Sequence, residues 1–312
     1  MNQTHQQLLQ LLDLPDLQPL GAGMQCQVFA DGPEQVLKIY SQDAGIQNLK
    51  RLMDFYASLD RSNVNFHLPA IYSVEPVKDW ILVREHRLHG TSPTLDHLQH
   101  MKVEELEIFF QHYVDVLFQI PKIGTLFLQP GEPLDQTGDF VSYGQFGSWQ
   151  ALLMTNLKRK LAAAGQQYLL YVEDLQSIVD AIEQQITTLP NNVNHLIHGD
   201  FYPANTLMDS DFNIQAVLDF GTYTLVGDPV YDLALGWIFA DMYQNVKQLS
   251  ANDYVGELIR ERIPTNEYQR MKLYILIYSL LSADIYSDPG APDGHFQWAM
   301  NNLNNDDFRE VL

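Results

Sequence analysis

The feature that most restricts this fold is a change of hydrophobic period near residue 90. Before it, apolar residues fall in short β-like runs, Gln27 to Ala30 and Gln35 to Tyr40, with Asp31-Gly32-Pro33 as the turn between them. Pro69 to Val74 and Trp80 to Glu85 read as two more strands, with Glu75-Pro76 as their turn region. One helical stretch interrupts them, residues 46 to 59, where Ile46, Leu49, Leu52, Met53, Tyr56 and Leu59 recur at helical spacing. A short helix over 8 to 14 stops at Pro15, and Leu20-Gly21-Ala22-Gly23 breaks the pattern after it. After Gly90 the period is helical over 103 to 119, 149 to 163, 170 to 188, and from Tyr231 onward with a break at Asp288 to Gly294. Pro121 to Gly147 reads as a long irregular loop. His195 to His198 and Gln215 to Leu218 read as short strand pieces. The expected plan is α+β, with a small β-rich unit at 1–88, a connector near 84–91 and a larger, mostly helical unit at 89–312. Ligands often bind between two such units.

Charge and cysteine content narrow the function classes. The 312 residues carry 18 Lys+Arg against 39 Asp+Glu, a net charge of −21. The densest basic run is Lys158-Arg159-Lys160, too short for a phosphate-binding surface, so no nucleic-acid partner is expected. Acidity of this size keeps a protein soluble or draws in a cationic substrate. One cysteine, Cys26, excludes a disulfide framework and a cysteine-based zinc site. Met1 to Gln10 has no Lys or Arg and does not read as a signal peptide. No stretch reaches 18 uncharged apolar residues, and Leu273 to Ala283 reads as a buried helix. A cytoplasmic protein without membrane attachment is expected.

The chemistry is concentrated in His198-Gly199-Asp200-Phe201-Tyr202-Pro203-Ala204-Asn205 and in Val217-Leu218-Asp219-Phe220-Gly221. Asp200, Asn205 and Asp219 offer hard oxygen ligands of the kind that suit Mg²⁺. Phosphoryl transfer needs such ligands to offset phosphate charge, and needs an acceptor for the hydroxyl proton of the nucleophile. His195 and His198 do not form a metal pair, because residues three apart on a strand face opposite sides. In the first unit, Gly21-x-Gly23-x-x-Cys26-x-Val28 is an incomplete glycine-rich loop whose glycines let backbone amides approach phosphates. Lys38 stands inside the apolar run Val36-Leu37-Lys38-Ile39-Tyr40, a costly place for a lysine unless it is paired or faces a cleft.

These residues resemble the aminoglycoside phosphotransferase family, a group with the protein-kinase-like fold that includes choline kinases. The resemblance runs through His198-Gly199-Asp200-x4-Asn205, Asp219 and Gly227-Asp228-Pro229-x-Tyr231-Asp232, and extends to the N-terminal unit. It implies a two-lobe fold and an ATP- and Mg²⁺-dependent transfer to a hydroxyl of a small molecule. By that resemblance Asp200 is the catalytic base or hydroxyl-orienting carboxylate, and Asn205 and Asp219 bind Mg²⁺. Lys38 holds the α- and β-phosphates, with Gly21 and Gly23 beside them. Glu85, His86 and Arg87 form the hinge at the adenine. His198, Asp228 and Asp232 support the loop. The lysine of such folds usually pairs with a glutamate on the first helix. Here that helix holds only Asp54, and Asp43 lies just before it, so either Asp54 substitutes or Lys38 is held differently.

The acceptor stays open at this level. An aminoglycoside or other cationic compound is one reading, and a sugar, amino alcohol or homoserine-like metabolite is the other. Tyr274, Tyr278 and Tyr286 serve as core packing or as a wall of the acceptor pocket. Asp284, Asp288 and Asp293 bind substrate amino groups or decorate a loop. His97, His100 and His112 read as solvated. A protein kinase is disfavoured by the absent Arg before Asp200 and the absent Ala-Pro-Glu segment. A non-catalytic nucleotide-binding protein is disfavoured by the intact Asp200, Asn205 and Asp219.

Overall fold

The computed structural model describes residues 5–14, 17–22, 26–129, 132–134, 147–191, 193–286 and 293–312. Its N-terminal region is one antiparallel sheet of five strands: β1 (Pro19–Ala22), β2 (Cys26–Ala30), β3 (Gln35–Ser41), β4 (Ile71–Val77) and β5 (Trp80–His86), in the order β1-β2-β3-β5-β4. The segment that breaks the sequence pattern at Leu20-Gly21-Ala22 forms β1 and pairs with β2. The turn expected at Glu75-Pro76 is displaced. Both residues lie inside β4, opposite Leu82 and Ile81, and the chain reverses at Lys78, whose φ is +54°. Proline is compatible with that strand because β4 is an edge, where a ladder donor can be missing.

The strand period of two decides what covers the sheet. Phe29, Leu37, Ile39 and Leu82 point to one face and bury Leu8, Leu9 and Leu12 from helix α1 (His5–Leu11) and the turn after it. Each such leucine contributes roughly 1.5–3 kcal/mol by leaving water. Ile81 and Val83 point to the other face, with Leu49 of helix α2 (Ile46–Ser58). Lys38 and Glu85 share this second face.

The C-terminal region is helical: α3 (Leu95–His100), α4 (Val103–Leu117), α5 (Trp149–Tyr168), α6 (Leu175–Ile186), α7 (Val230–Phe239), α8 (Ala251–Arg260), α9 (Thr265–Ser282), α10 (Gly294–Leu303) and α11 (Asp306–Arg309). All ten residues of α7 are buried, as are Met271 to Ser282 of α9, so these two helices form the centre. Two short ribbons lie among the helices. One pairs β6 (His195–Ile197) with β9 (Leu225–Gly227), and the other pairs β7 (Thr206–Met208) with β8 (Ile214–Val217). Phe55, Tyr56 and Leu59 of α2 belong to the core of this region, which joins the two halves through shared burial. No described helix is long and apolar enough to cross a membrane. Much of the expected loop at Pro121 to Gly147 and most of the break at Asp288 to Gly294 lie outside the described residues.

Candidate active site

The loop after β6 is shaped by one glycine. Gly199 has φ +78°, and a Cβ there would stand 2.1 Å from the carbonyl oxygen of Tyr223. No side chain fits, and the backbone conformation is one that glycine adopts without strain. The turn is then held by a carboxylate beneath it. Asp232, fully buried on α7, accepts the His198 N–H at Oδ2 (2.7 Å) and the Gly199 N–H at Oδ1 (2.9 Å). Burial pushes the Asp232 carboxyl up to about 7, with the two N–H groups pulling the other way. Thr224 Oγ1 donates to the His198 carbonyl (3.0 Å) and accepts the Gly221 N–H (2.9 Å), linking this loop to the one that carries Asp219.

His198 is a structural element of the loop. Its Nε2–H donates to the Leu218 carbonyl (2.7 Å) and its Nδ1 accepts the Asp200 N–H (3.2 Å). Both ring nitrogens are therefore used with the imidazole neutral. Burial lowers its pKa to about 4, in keeping with those roles. His195 faces outward and binds the Pro121 carbonyl instead, so the two histidines do not meet.

Asp200 is partly buried at the head of the loop. Burial and then the charge of Asp219 push its carboxyl up to about 7, while Asn205 opposes this. Asn205 follows in a single 3₁₀ turn, Pro203–Asn205. Its Nδ2 donates to the Asp200 carbonyl (2.8 Å) and lies 3.4 Å from Asp200 Oδ2, leaving Oδ1 without a hydrogen bond among the described residues. The Asn205 carbonyl accepts the Leu218 N–H (2.8 Å), which brings Asp219 alongside. Asp219 is exposed and has φ +57°, a left-handed conformation that aspartate tolerates and that most residues avoid. Asp219 and the free Asn205 oxygen make an open set of hard donors. It fits a divalent cation that completes its shell with phosphate oxygens and water. Among the described residues no three His, Cys, Asp or Glu gather into an all-protein metal cage.

Lys38 on β3 lies within electrostatic reach of Asp219. Its Nζ lies 3.0 Å from Glu85 Oε2 of β5. Lys38 is opposite Val83 in the ladder, so Glu85 is its diagonal neighbour on the same face. Burial works against the ammonium, but Glu85, then Tyr40 and Asp219, more than offset it and hold Lys38 well above its ordinary range. The open question of the lysine's partner is thus resolved: Asp54 is exposed on α2, and Lys38 is held from the sheet. Sequence reasoning missed this pair because the register of β3 on β5 is not local information. Cys26 lies on β2 opposite Tyr40, within electrostatic reach of Lys38 and Asp219.

Gly21 lies in β1 opposite Val28, and Gly23 is outside the described residues. The His86 N–H donates to the Ala70 carbonyl (2.8 Å) and the Arg87 N–H to that of Glu34 (2.9 Å). Asp228 starts the turn into α7. Its Oδ1 accepts the Val230 N–H (3.1 Å), and its Oδ2 accepts the Tyr274 hydroxyl (2.7 Å). Arg270 Nε lies 2.9 Å from the same oxygen, an ion pair with its N–H not aimed along the contact. Trp149 Nε1–H donates to Tyr274, so this tyrosine is core (2.8 Å). Tyr286 is 55% exposed and, with Tyr202, Tyr223 and Tyr278, lies within electrostatic reach of Asp200. Of the late acids, Asp284 pairs with Lys160 (2.5 Å), Asp293 caps α10 by accepting the Phe296 N–H (2.8 Å), and Asp288 is outside the described residues. His97 and His100 sit on the exposed face of α3, but His112 Nδ1 binds the Phe212 carbonyl (2.8 Å).

Solved structures share this architecture. A thermostable variant of the aminoglycoside phosphotransferase APH(4)-Ia, bound to ADP and hygromycin B, superposes with a TM-score of 0.66 over 99% of this chain and 98% of its own, at 18% identity. Aminoglycoside 2'-phosphotransferase-IIIa with GDP gives 0.63 at 15% identity, over the full length of both chains. The gentamicin complex of APH(2")-IIa gives 0.62 at 15% identity, over 100% of this chain and 99% of its own. These likenesses identify the protein-kinase-like fold. No curated protein matches the chain. The family model described as the phosphotransferase enzyme family matches residues 16–274, which takes in β1 to β5, the His198 loop, Asp219 and Asp232. The chain belongs to that family and is a small-molecule phosphotransferase.

Proposed function

We propose that this protein transfers the γ-phosphoryl group of Mg-ATP to a hydroxyl group of a small molecule, with residues 1–88 as the nucleotide-binding lobe and 89–312 carrying the catalytic and acceptor groups. The observation that supports it most is that Lys38, paired with Glu85, lies within electrostatic reach of Asp219, which stands beside Asp200 and Asn205. Lys38 would hold the α- and β-phosphates, with the backbone at Gly21 and Gly23 beside them. Asn205 and Asp219 would hold Mg²⁺, which when bound neutralises charge on the β- and γ-phosphates. Asp200 orients the acceptor hydroxyl and takes its proton, and a carboxyl pushed up to about 7 suits that task at neutral pH. The rest of the catalysis is positioning and charge stabilisation by groups already in place. The N–H groups of His86 and Arg87 are committed to Ala70 and Glu34. Adenine recognition at this hinge would therefore draw on side chains, carbonyls or backbone past Arg87.

For the acceptor, the fold neighbours favour an aminoglycoside or another cationic compound. One observation favours a metabolic acceptor such as a sugar or amino alcohol. Asp284 is occupied by Lys160, and the groups in reach of Asp200 include four phenols. ADP release with Mg-ATP, measured across aminoglycosides, amino alcohols and sugars, separates these readings. Turnover with one class, lost in Asp200→Asn, establishes the kinase and its substrate class. No acceptor-dependent turnover together with Mg²⁺-dependent ATP binding would sink the catalytic reading.

A further inference from the structure

The helix beside the sheet does not hold the lysine. The one acid of α2, Asp54, is exposed, and the hydrogen bonds of α2 side chains go elsewhere, although Tyr56 lies within electrostatic reach of Lys38 and Glu85. Arg51 Nε donates to the Leu134 carbonyl (2.9 Å), and its NH2 pairs with Glu132 (2.7 Å). The Tyr56 hydroxyl donates to the Phe220 carbonyl (3.2 Å), next to Asp219. The Lys38 ammonium meets its counter-ion on the neighbouring strand. Glu85 is 5% exposed, one residue from the end of β5, with Val36 and Ile71 opposite it on the two flanking strands.

We propose that Glu85 is the positioning residue of Lys38, acting on the nucleotide phosphates through the lysine and making no contact with the adenine itself. This rests on the reading of Lys38 as the phosphate-binding lysine. Two strands hydrogen-bonded in fixed register hold both charges, so α2 supplies no counter-ion to the ammonium. Truncating Glu85 leaves a half-buried cation without its counter-ion and free to turn away from the phosphates.

The test uses the full-length protein and separates phosphate binding from base binding. Affinities for Mg-ATP and for adenosine are measured by competition against a fluorescent nucleotide, for the wild type, Glu85→Gln, Lys38→Met, the double variant and Asp54→Asn. Glu85→Gln is expected to weaken Mg-ATP about tenfold, the scale of a single charge-assisted hydrogen bond, and to leave adenosine unchanged. It adds nothing on top of Lys38→Met, and Asp54→Asn matches the wild type. Melting curves check the fold. If Glu85→Gln does not fold, Glu85→Asp keeps the charge but shortens its reach, and the same loss confined to Mg-ATP is expected. Equal losses for ATP and adenosine would assign Glu85 to the adenine and overturn the proposal. So would additive effects of Glu85→Gln and Lys38→Met, or an affinity equal to wild type in the folded variant. A wild type that does not bind Mg-ATP removes the nucleotide-binding reading itself, and this role with it.

Discussion

On the sheet side of the candidate site, Lys38 and Glu85 stand on neighbouring strands whose ladder fixes both of them. On the helical side, Asp200, Asn205 and Asp219 stand on loops and a single turn, with left-handed backbone at Gly199 and Asp219. The first arrangement is rigid because its backbone is regular. The second has no ladder to rely on. Its shape comes from buried polar anchors, Asp232, Thr224 and the neutral His198, each saturating backbone groups that would otherwise be unpaired. Regular structure places a charge at low cost in sequence. Irregular structure can aim several groups at one point, but every backbone N–H it frees must find a specific partner.

This contrast can be tested from both sides. The largest effect should come from the reacting carboxylate. Asp200→Asn is expected to lower turnover roughly 10²–10⁴-fold with a melting temperature at neutral pH no lower than wild type, since the buried carboxylate it removes is disfavoured in the fold. A variant with near-wild-type turnover would remove Asp200 from the proton-accepting role. Next comes the anchor beneath it. Asp232→Ala leaves two buried N–H groups without acceptors, at about 1–3 kcal/mol each. Both stability and turnover should fall although Asp200 is untouched, and Asp232→Asn, which keeps one acceptor oxygen, should lie between. If Asp232→Ala melts like the wild type, the loop is held by something other than its anchor.

The neutral histidine gives a pH signature. His198 titrates near 4 in the folded chain, against about 6.5 in an unfolded one. Between these values the unfolded chain binds more protons, so its contribution to stability is lost as pH falls from 6.5 to 4, at up to about 1.4 kcal/mol per pH unit. Asp200 and Asp232, both raised to about 7, act in the opposite sense over an overlapping window. The wild type minus His198→Gln isolates the histidine in chemical-denaturation curves from pH 4 to 7. A difference independent of pH would mean that His198 takes up its proton in the fold as readily as in the unfolded chain, and so is not held neutral. The smallest effect belongs to the sheet side. Lys78 ties the β4–β5 turn to Leu11 and Asp13 after α1, through an exposed ion pair of 3.0 Å. Lys78→Ala should cost no more than about 1 kcal/mol, because α1 is held by its leucines. A larger loss would show that this turn does more than tether.

The sequence makes the loop side unusually legible and the sheet side less so. Asp200, Asn205 and Asp219 lie within 20 residues of one another, so type and spacing alone single them out. The buried helices α7 and α9 are also plain from their apolar runs. The partner of Lys38 is 47 residues away on a strand whose pairing is set by tertiary contacts, and only the register makes Glu85 its neighbour. Thr224 and Tyr113 carry no local signal either, although the Tyr113 hydroxyl donates to the Phe201 carbonyl beside Asp200 (2.9 Å). Strands of three residues, such as β7 and β9, are too short for a period to appear. Pro76 looks like a turn because proline is rare in a strand interior, and the order of strands that makes β4 an edge is invisible in the sequence.

That edge has a wider meaning. The two outer strands of the five-stranded sheet are β1 and β4, and each contains a proline, Pro19 in the one and Pro76 in the other. An approaching strand from a second molecule would find the row of backbone donors broken at either border. With α1 on one face of the sheet and α2 on the other, each border offers an incoming strand one backbone donor fewer, which weakens edge-to-edge pairing between copies.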